Sequence, residues 1–333
     1  MSAPALVSLE VAIGHVVRVF TRVGVPQESA LSVARALVGA EADGLKGHGL
    51  SRVATYRGMV IANKIVASAL PVASRPLPGV LLVDACQGFA YPAMDLALAE
   101  LPAIARAQGI AIAPIRRSNH CGAAGLIVEA LADKGLVALL FANTPAAIAP
   151  WGGSAPVFGT NPIAFAAPLQ GRPAVVIDLA VSKVARGNLL AAKQKGETIP
   201  EGWALDTQGK PTTDPDAGLK GTMVPMGDAK GAALAFMIET LAAALVGAKL
   251  GFEASSFLDE AGGPPETGQL IIAIDPGAVS GQAFGQRMSA LAAAVESQSG
   301  ARLPGLRRVK LREAAARSGI AIPAQILAWS EGT

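Results

Sequence analysis

From about residue 75 onward, strand-length apolar runs alternate with helix-length amphipathic ones. "GVLLVDA" is followed by "PAMDLALAELPAIARAQ", "GIAIAPIRR", "AGLIVEALADKG", "LVALLFAN" and later "PAVVIDLA". Each kind of run buries one face against the other, so the alternation predicts an α/β body. Residues 5 to 70 read differently. "EVAIGHVVRVFTRVG" and "PQESALSVARALVGAEADG" repeat apolar residues at spacings of three and four and close on glycine, as amphipathic helices do. The chain therefore divides into a helical portion at 1–74, an α/β body at 75–298 and a C-terminal segment at 299–333. Within the body, "GQLIIAIDP" reads as a strand, and "GDAKGAALAFMIETLAAALVGA" and "MSALAAAVESQ" read as helices. Residues 195–222 read as an excursion rich in turns, and 142–168, dense in Pro, Gly and Thr, as an ordered loop. No repeat is present.

With 333 residues, 51% of them hydrophobic, the chain can bury a substantial core. Its mean hydropathy is +0.43, yet charge or glycine breaks every apolar run before membrane-spanning length, and the N-terminus lacks the charge pattern of a secretory signal. These features predict a soluble, cytoplasmic protein with no membrane partner. The two cysteines, Cys86 and Cys121, form no CxxC and have no histidine at metal-ligand spacing, so free thiols and no metal site are expected. A net charge of +3, with no basic run interleaved with aromatics, argues against nucleic acid and for a small anionic ligand.

Only three histidines occur, and one of them stands between glycines in "LKGHGLSRVATY". A helix after Gly47 would place His48 and Arg52 one turn apart on one face. Arginine can clamp a carboxylate bidentately and histidine can move a proton near neutral pH, a combination suited to a 2-oxo or 2-imino acid. Gly47 and Gly49 would leave room for the ligand. A solvated His–Arg pair is the plainer alternative. In "RRSNHCGAAGLIVEA", a strand runs through Ser118 and Asn119 to His120, and small residues then open a helix whose free N–H groups suit a phosphate. An ordinary strand–helix turn would use the same residues. No GxGxxG occurs, so a nicotinamide cofactor would need another scaffold. Lys230 in "GDAKG" and Arg307 and Arg308 in "RLPGLRR" are further cations that a phosphate, or plain solvent, could meet.

Together, "GHGLSRV…Y", "SNHCGAAG", "PWGG…FGTNPIAFA", "VIDLA", "GDAKG" and "RLPG" resemble the type-2 malate/L-lactate dehydrogenase family over about residues 5–330. Within it, the stretches "FANTPAAIAPWGG" and "VARGNLLAAKQKGETIPEGWALD" look most like the Δ1-piperideine-2-carboxylate/Δ1-pyrroline-2-carboxylate reductases. The resemblance implies an L-sulfolactate dehydrogenase-like α/β fold with a mixed sheet, a non-Rossmann NADPH-binding scaffold and a homodimer. It implies NADPH-dependent reduction of cyclic ketimine acids to L-pipecolate and L-proline, with His48 as proton donor, Arg52 as carboxylate clamp and Thr160 as a substrate contact. His120, Cys121, Gly122, Ala123, Ala124, Asp178, Leu179, Ala180, Lys230, Arg307 and Arg308 would line the NADPH site. Two positions depart from the pattern: Gly47 and Asn188 stand where the family carries the serine and aspartate of a Ser–His–Asp relay. A 2-oxo acid or 2-hydroxy acid dehydrogenase, an imine reductase forming N-alkyl amino acids, and a non-catalytic NADPH-binding relative remain as alternatives.

Overall fold

The computed structural model describes residues 5–332. Its N-terminal portion consists of β1 (Ala5–Val7), α1 (Leu9–Thr21), α2 (Gln27–Ala42) and α3 (Arg52–Ile61). Ser8 starts α1 by accepting the Val11 N–H, satisfying a donor that the helix itself leaves unpaired. The chain's far end returns here: β12 (Ile320–Ile322) pairs antiparallel with β1, and α12 (Ala324–Glu331) follows it. Val16, Phe20, Leu37, Tyr56, Ile322 and Ile326 share one core, so the terminal segments fold as a single layer.

The α/β body contains β2 (Val72–Leu77), β3 (Val80–Asp84), α4 (Ala90–Gln108), β4 (Ile110–Ser118), α5 (Ala124–Ala132), β5 (Val137–Ala142), β6 (Ile163–Leu169) and β7 (Arg172–Leu179). After an excursion made of α6 (Arg186–Lys195), β8 (Ala204–Leu205), β9 (Pro211–Thr212), α7 (Pro215–Lys220) and β10 (Thr222–Met223) come α8 (Ala229–Glu239) and a π-helical turn, Thr240–Ala244. β11 (Thr267–Ile274), α9 (Pro276–Ser280), α10 (Ala283–Glu296) and α11 (Leu306–Ser318) complete the chain before β12. The main sheet has the order β2-β3-β4-β11-β5-β6-β7, parallel only between β3 and β4. β11, the last of these strands in sequence, sits in the middle and is buried along nearly all its length, which its run "LIIAI" requires. α4 and α5 cover one face through Met94, Leu101, Val128 and Leu131. α6, α8 and the small β10-β8-β9 sheet cover the other, where Phe141, Leu189, Ile238 and Leu270 meet.

Two expectations change. Residues 163–168, read as part of a loop, form strand β6. Its buried positions include Ala164 and Ala166, Pro162 precedes it and Pro168 lies within it, so its composition resembles a loop although it pairs regularly with β5 and, up to a register shift at Pro168, with β7. The division at 74/75 falls inside β2, an edge strand exposed along its whole length that therefore carries no burial alternation. Among the described residues no helix is long and apolar enough to cross a membrane, and no cluster of metal-ligating side chains occurs.

Candidate active site

The helix expected after Gly47 is interrupted. Lys46–His48 form a single 3₁₀ turn, Gly49 breaks it with an extended ψ of −141°, and α3 begins only at Arg52. His48 and Arg52 still meet, because Arg52 folds back: its Nε donates to the Gly47 carbonyl at 2.7 Å and its Nη1 to the Phe257 carbonyl at 3.3 Å. The space beside Gly49 belongs to Glu41 rather than to a ligand, since a Cβ there would collide with the Glu41 carboxylate, which accepts the Leu50 N–H at 3.0 Å. Gly47, in contrast, faces open space.

His48 has a neighbour that its glycine flanks did not suggest. The His120 ring, brought in by the turn after β4, stacks on it with centroids 5.2 Å apart and planes 19° from parallel. The Phe257 ring packs on His120 from the other direction at 5.3 Å. Behind them, Tyr56 of α3 holds its hydroxyl 2.5 Å from His120 Nδ1 and 3.1 Å from the hydroxyl of Tyr91. Burial, reinforced by the Arg52 charge, lowers the His48 pKa to about 4 and places that of His120 well below the ordinary range. Both rings are neutral at pH 7, so His48 holds no spare proton there. Its Nδ1 is buried without a hydrogen-bond partner.

Thr160 lies in a second group tied to the same wall. Its N–H donates to Thr144 Oγ1 at 2.9 Å, while the next residue, Asn161, donates to the buried carboxylate of Glu239 at 2.8 Å. Glu239 also accepts the Gly251 N–H at 2.7 Å. From Gly251 the chain runs to Phe257 beside His120, and the wholly buried Lys64 secures the continuation by donating to the carbonyls of Asp259 and Ala261 at 3.0 and 2.6 Å. Thus the 250–261 segment connects the threonine group to the two imidazoles.

A third group forms where β7, α5 and α11 converge. Gly305 has φ +88° and lies so close to β7 that a Cβ would press on the Val176 carbonyl. This packing delivers Arg308 to Asp178 and to the start of α5. The helix terminus is not vacant, as a phosphate would need it to be: the Gly125 N–H donates to Asp178 Oδ2 at 2.7 Å. Asp178 is reached by solvent, yet enough protein surrounds its carboxyl to raise its pKa, against the Gly125 hydrogen bond and the Arg308 charge; this combination describes a cleft. Arg308 and Arg312 share the buried carboxylates of Asp43 and Glu129. Arg312 binds both closely, whereas Arg308 stays 3.7 Å from each and its Nη1 makes no hydrogen bond. Cys121 is a buried thiol with its pKa pushed up to about 12, hence unreactive.

The model of the malate/L-lactate dehydrogenase family matches residues 7–329. The chain belongs to this family. It is 48% identical over 310 residues, 92% of each chain, to (2R)-3-sulfolactate dehydrogenase (NADP(+)) of Chromohalobacter salexigens. It is 40% identical to a Δ1-pyrroline-2-carboxylate/Δ1-piperideine-2-carboxylate reductase of Pseudomonas putida, over 93% of this chain and 91% of the other. The crystal structure of Δ1-piperideine-2-carboxylate reductase from Pseudomonas syringae superposes with a TM-score of 0.93 at 38% identity, covering 98% and 99% of the two chains. The mixed sheet with its N-terminal helices is accordingly this family's fold, and the protein is an oxidoreductase of the dehydrogenase/reductase type.

Within the family pattern, Asn188 is exposed on α6 and makes no side-chain hydrogen bond to His48. Lys230 and Arg307 are exposed, and no ion pair with the described residues engages them. Leu179 is 37% exposed, and Ala180 leads to Val181, whose carbonyl accepts the Met226 N–H just ahead of the "GDAKG" turn. Gly231 in that turn approaches the Met226 backbone so closely that a Cβ has no room. The sequence motifs thus place His120 with His48, and Gly122–Ala124, Asp178 and Arg308 around the start of α5. Reading the sequence missed Tyr56, Tyr91, Phe257, Glu239 and Lys64. One signal for the tyrosines was available: they are the only two in the chain.

Proposed function

We propose that the protein reduces cyclic 2-imino acids, Δ1-piperideine-2-carboxylate and Δ1-pyrroline-2-carboxylate, with NADPH. The observation that carries this reading is that, among the described residues, Arg52 is the only fixed charge bearing on either stacked imidazole. One guanidinium matches one carboxylate. A protonated cyclic imine adds a positive charge at nitrogen, which two neutral imidazoles accept in their midst and two imidazolium ions would repel. His48 then takes the iminium N–H on a ring nitrogen, Arg52 holds the carboxylate, and Thr160 borders the ring. The iminium keeps its proton as C2 is reduced, so no side chain has to act as a strong acid.

The third group fits a phosphorylated dinucleotide. Arg308, whose Nη1 is buried without a hydrogen bond, lends positive charge beside the start of α5, and the accessible Asp178 offers an acceptor to ribose hydroxyls. His120 to Ala124, Asp178 to Ala180, Lys230 and Arg307 would complete the NADPH site, and the cofactor bound there supplies the hydride. A homodimer belongs to the same reading and is tested by light scattering.

A second reading has its own support. The 48% identity to a (2R)-3-sulfolactate dehydrogenase, together with a neutral His48 able to take a hydroxyl proton, suits oxidation of a 2-hydroxy acid with NADP⁺. Initial rates separate the two. NADPH consumption with Δ1-piperideine-2-carboxylate should exceed that with pyruvate, with or without methylamine, and NADP⁺ reduction by (2R)-3-sulfolactate. A kcat/KM for sulfolactate above that for the cyclic imine overturns the first reading, and no turnover with any of them overturns both.

A further inference from the structure

The hydroxyls behind His120 form a line with a definite direction. Tyr91, Tyr56 and His120 are 4%, 1% and 8% exposed, and the hydroxyl-to-hydroxyl and hydroxyl-to-Nδ1 distances are 3.1 and 2.5 Å. Burial raises the Tyr56 pKa to about 12 and holds that of Tyr91 well above the usual phenol value, so both phenols keep their protons, while the His120 ring is neutral and carries a single N–H. Three protons must then be shared along the line. If His120 carried its hydrogen on Nδ1, it would donate to Tyr56 and Tyr56 would donate to Tyr91. The Tyr91 proton would then be buried with no acceptor, because among the described residues Tyr56 is the only hydrogen-bond partner of that hydroxyl. In the opposite order Tyr91 donates to Tyr56, Tyr56 donates to Nδ1, and every buried donor is paired. The hydrogen of His120 is left on Nε2. This nitrogen has no hydrogen-bond partner among the described residues and is not sealed from solvent, so it opens toward the site.

We infer that Tyr56, backed by Tyr91, is a positioning residue that fixes His120 as its Nε2–H tautomer, so that His120 joins Arg52 in donating to the carboxylate of the substrate. This rests on the proposed reading of the His48–His120–Arg52 group as the substrate site. It divides the work of the stacked pair: His120 donates to the anionic end of the substrate and His48 accepts from the nitrogen end. Neither role requires a charged imidazole.

Tautomers are read directly from ¹⁵N chemical shifts of histidine-labelled protein, with no need for turnover. The parent should show His120 protonated at Nε2. Tyr56→Phe should turn this into a tautomer mixture and weaken binding of pyruvate, used as a monocarboxylate probe, by about fivefold, the worth of one neutral hydrogen bond. The KM of any accepted 2-imino or 2-oxo acid should rise similarly, with kcat within about twofold. Tyr91→Phe should retain the Nε2–H signature, because Tyr56 still donates to Nδ1. A parent spectrum showing Nδ1–H, or a Tyr56→Phe spectrum identical to the parent, overturns the inference. Failure of the imine-reductase reading alone would appear as absent ketimine turnover with these spectra and pyruvate affinities unchanged.

Discussion

The neutrality of His48, on which the proposed chemistry depends, should be measurable as a pH dependence of stability. An unfolded histidine titrates near 6.5, whereas His48 in the folded chain is held at about 4 by burial and by Arg52. Between these values the unfolded chain binds the proton and the folded chain does not, so protonation favours unfolding. Stability is therefore intact above pH 6.5 and is lost progressively as pH falls toward 4. With those two pKa values, His48 costs about 2 kcal/mol between pH 7 and pH 5. For 333 residues, with an unfolding entropy of roughly 2.1 cal/mol/K per residue, this corresponds to about 3 °C in Tm. His120 and other groups add slopes of their own, so the measurement is a difference: Tm against pH for the parent and for His48→Asn in the same buffers. The variant's decline from pH 7 to pH 5 should be about 3 °C shallower. Parallel curves would mean that His48 titrates near its ordinary value, and the argument that its neutral ring tolerates an iminium would fall with it.

Three other outcomes follow from the geometry. Because Arg52 holds its guanidinium between the Gly47 and Phe257 carbonyls, Arg52→Lys should raise KM for the accepted acid more than it lowers kcat, and a normal KM in steady-state kinetics would remove Arg52 from the site. Arg307 is exposed and unengaged while Arg308 faces Asp43 and Glu129; Arg307→Ala should lower the kcat/KM preference for NADPH over NADH at unchanged Tm, and Arg308→Ala should lower both. Asp43→Asn removes a fully buried carboxylate from Arg312, which should cost about 3 kcal/mol, or roughly 4 °C, by calorimetry.

What could be read from the sequence was what depends on neighbours along the chain. β3, β4, β5, β7 and β11 are visible because their apolar runs have strand length and turn residues bound them, and α4 and α5 because their apolar residues recur at helical spacing. β6 escaped because alanine satisfies a buried strand position without looking hydrophobic enough to mark one. His48 and Arg52 stood out because histidine is scarce and the two residues are four apart, yet the helix that suggested their partnership is absent. Gly49 ends the turn for the sake of Glu41, and Arg52 reaches back by another route. Apart from Arg52, what gives the imidazoles their chemistry is brought together across long stretches of chain. Tyr56 and His120 are 64 positions apart, Arg52 and Phe257 205, Arg312 and Asp43 269. No periodicity carries such pairings, because they exist only once the sheet and its helices have closed. The same closure explains why a C-terminal segment recognisable only as "RLPGLRR" belongs to the site. α11 packs along α2 and against β7, and its arginines reach carboxylates on α5 and at the end of α2. The start of α5 therefore takes its charged surroundings from a helix far later in the chain, held there by the packing of Gly305 on β7 and of α11 on α2.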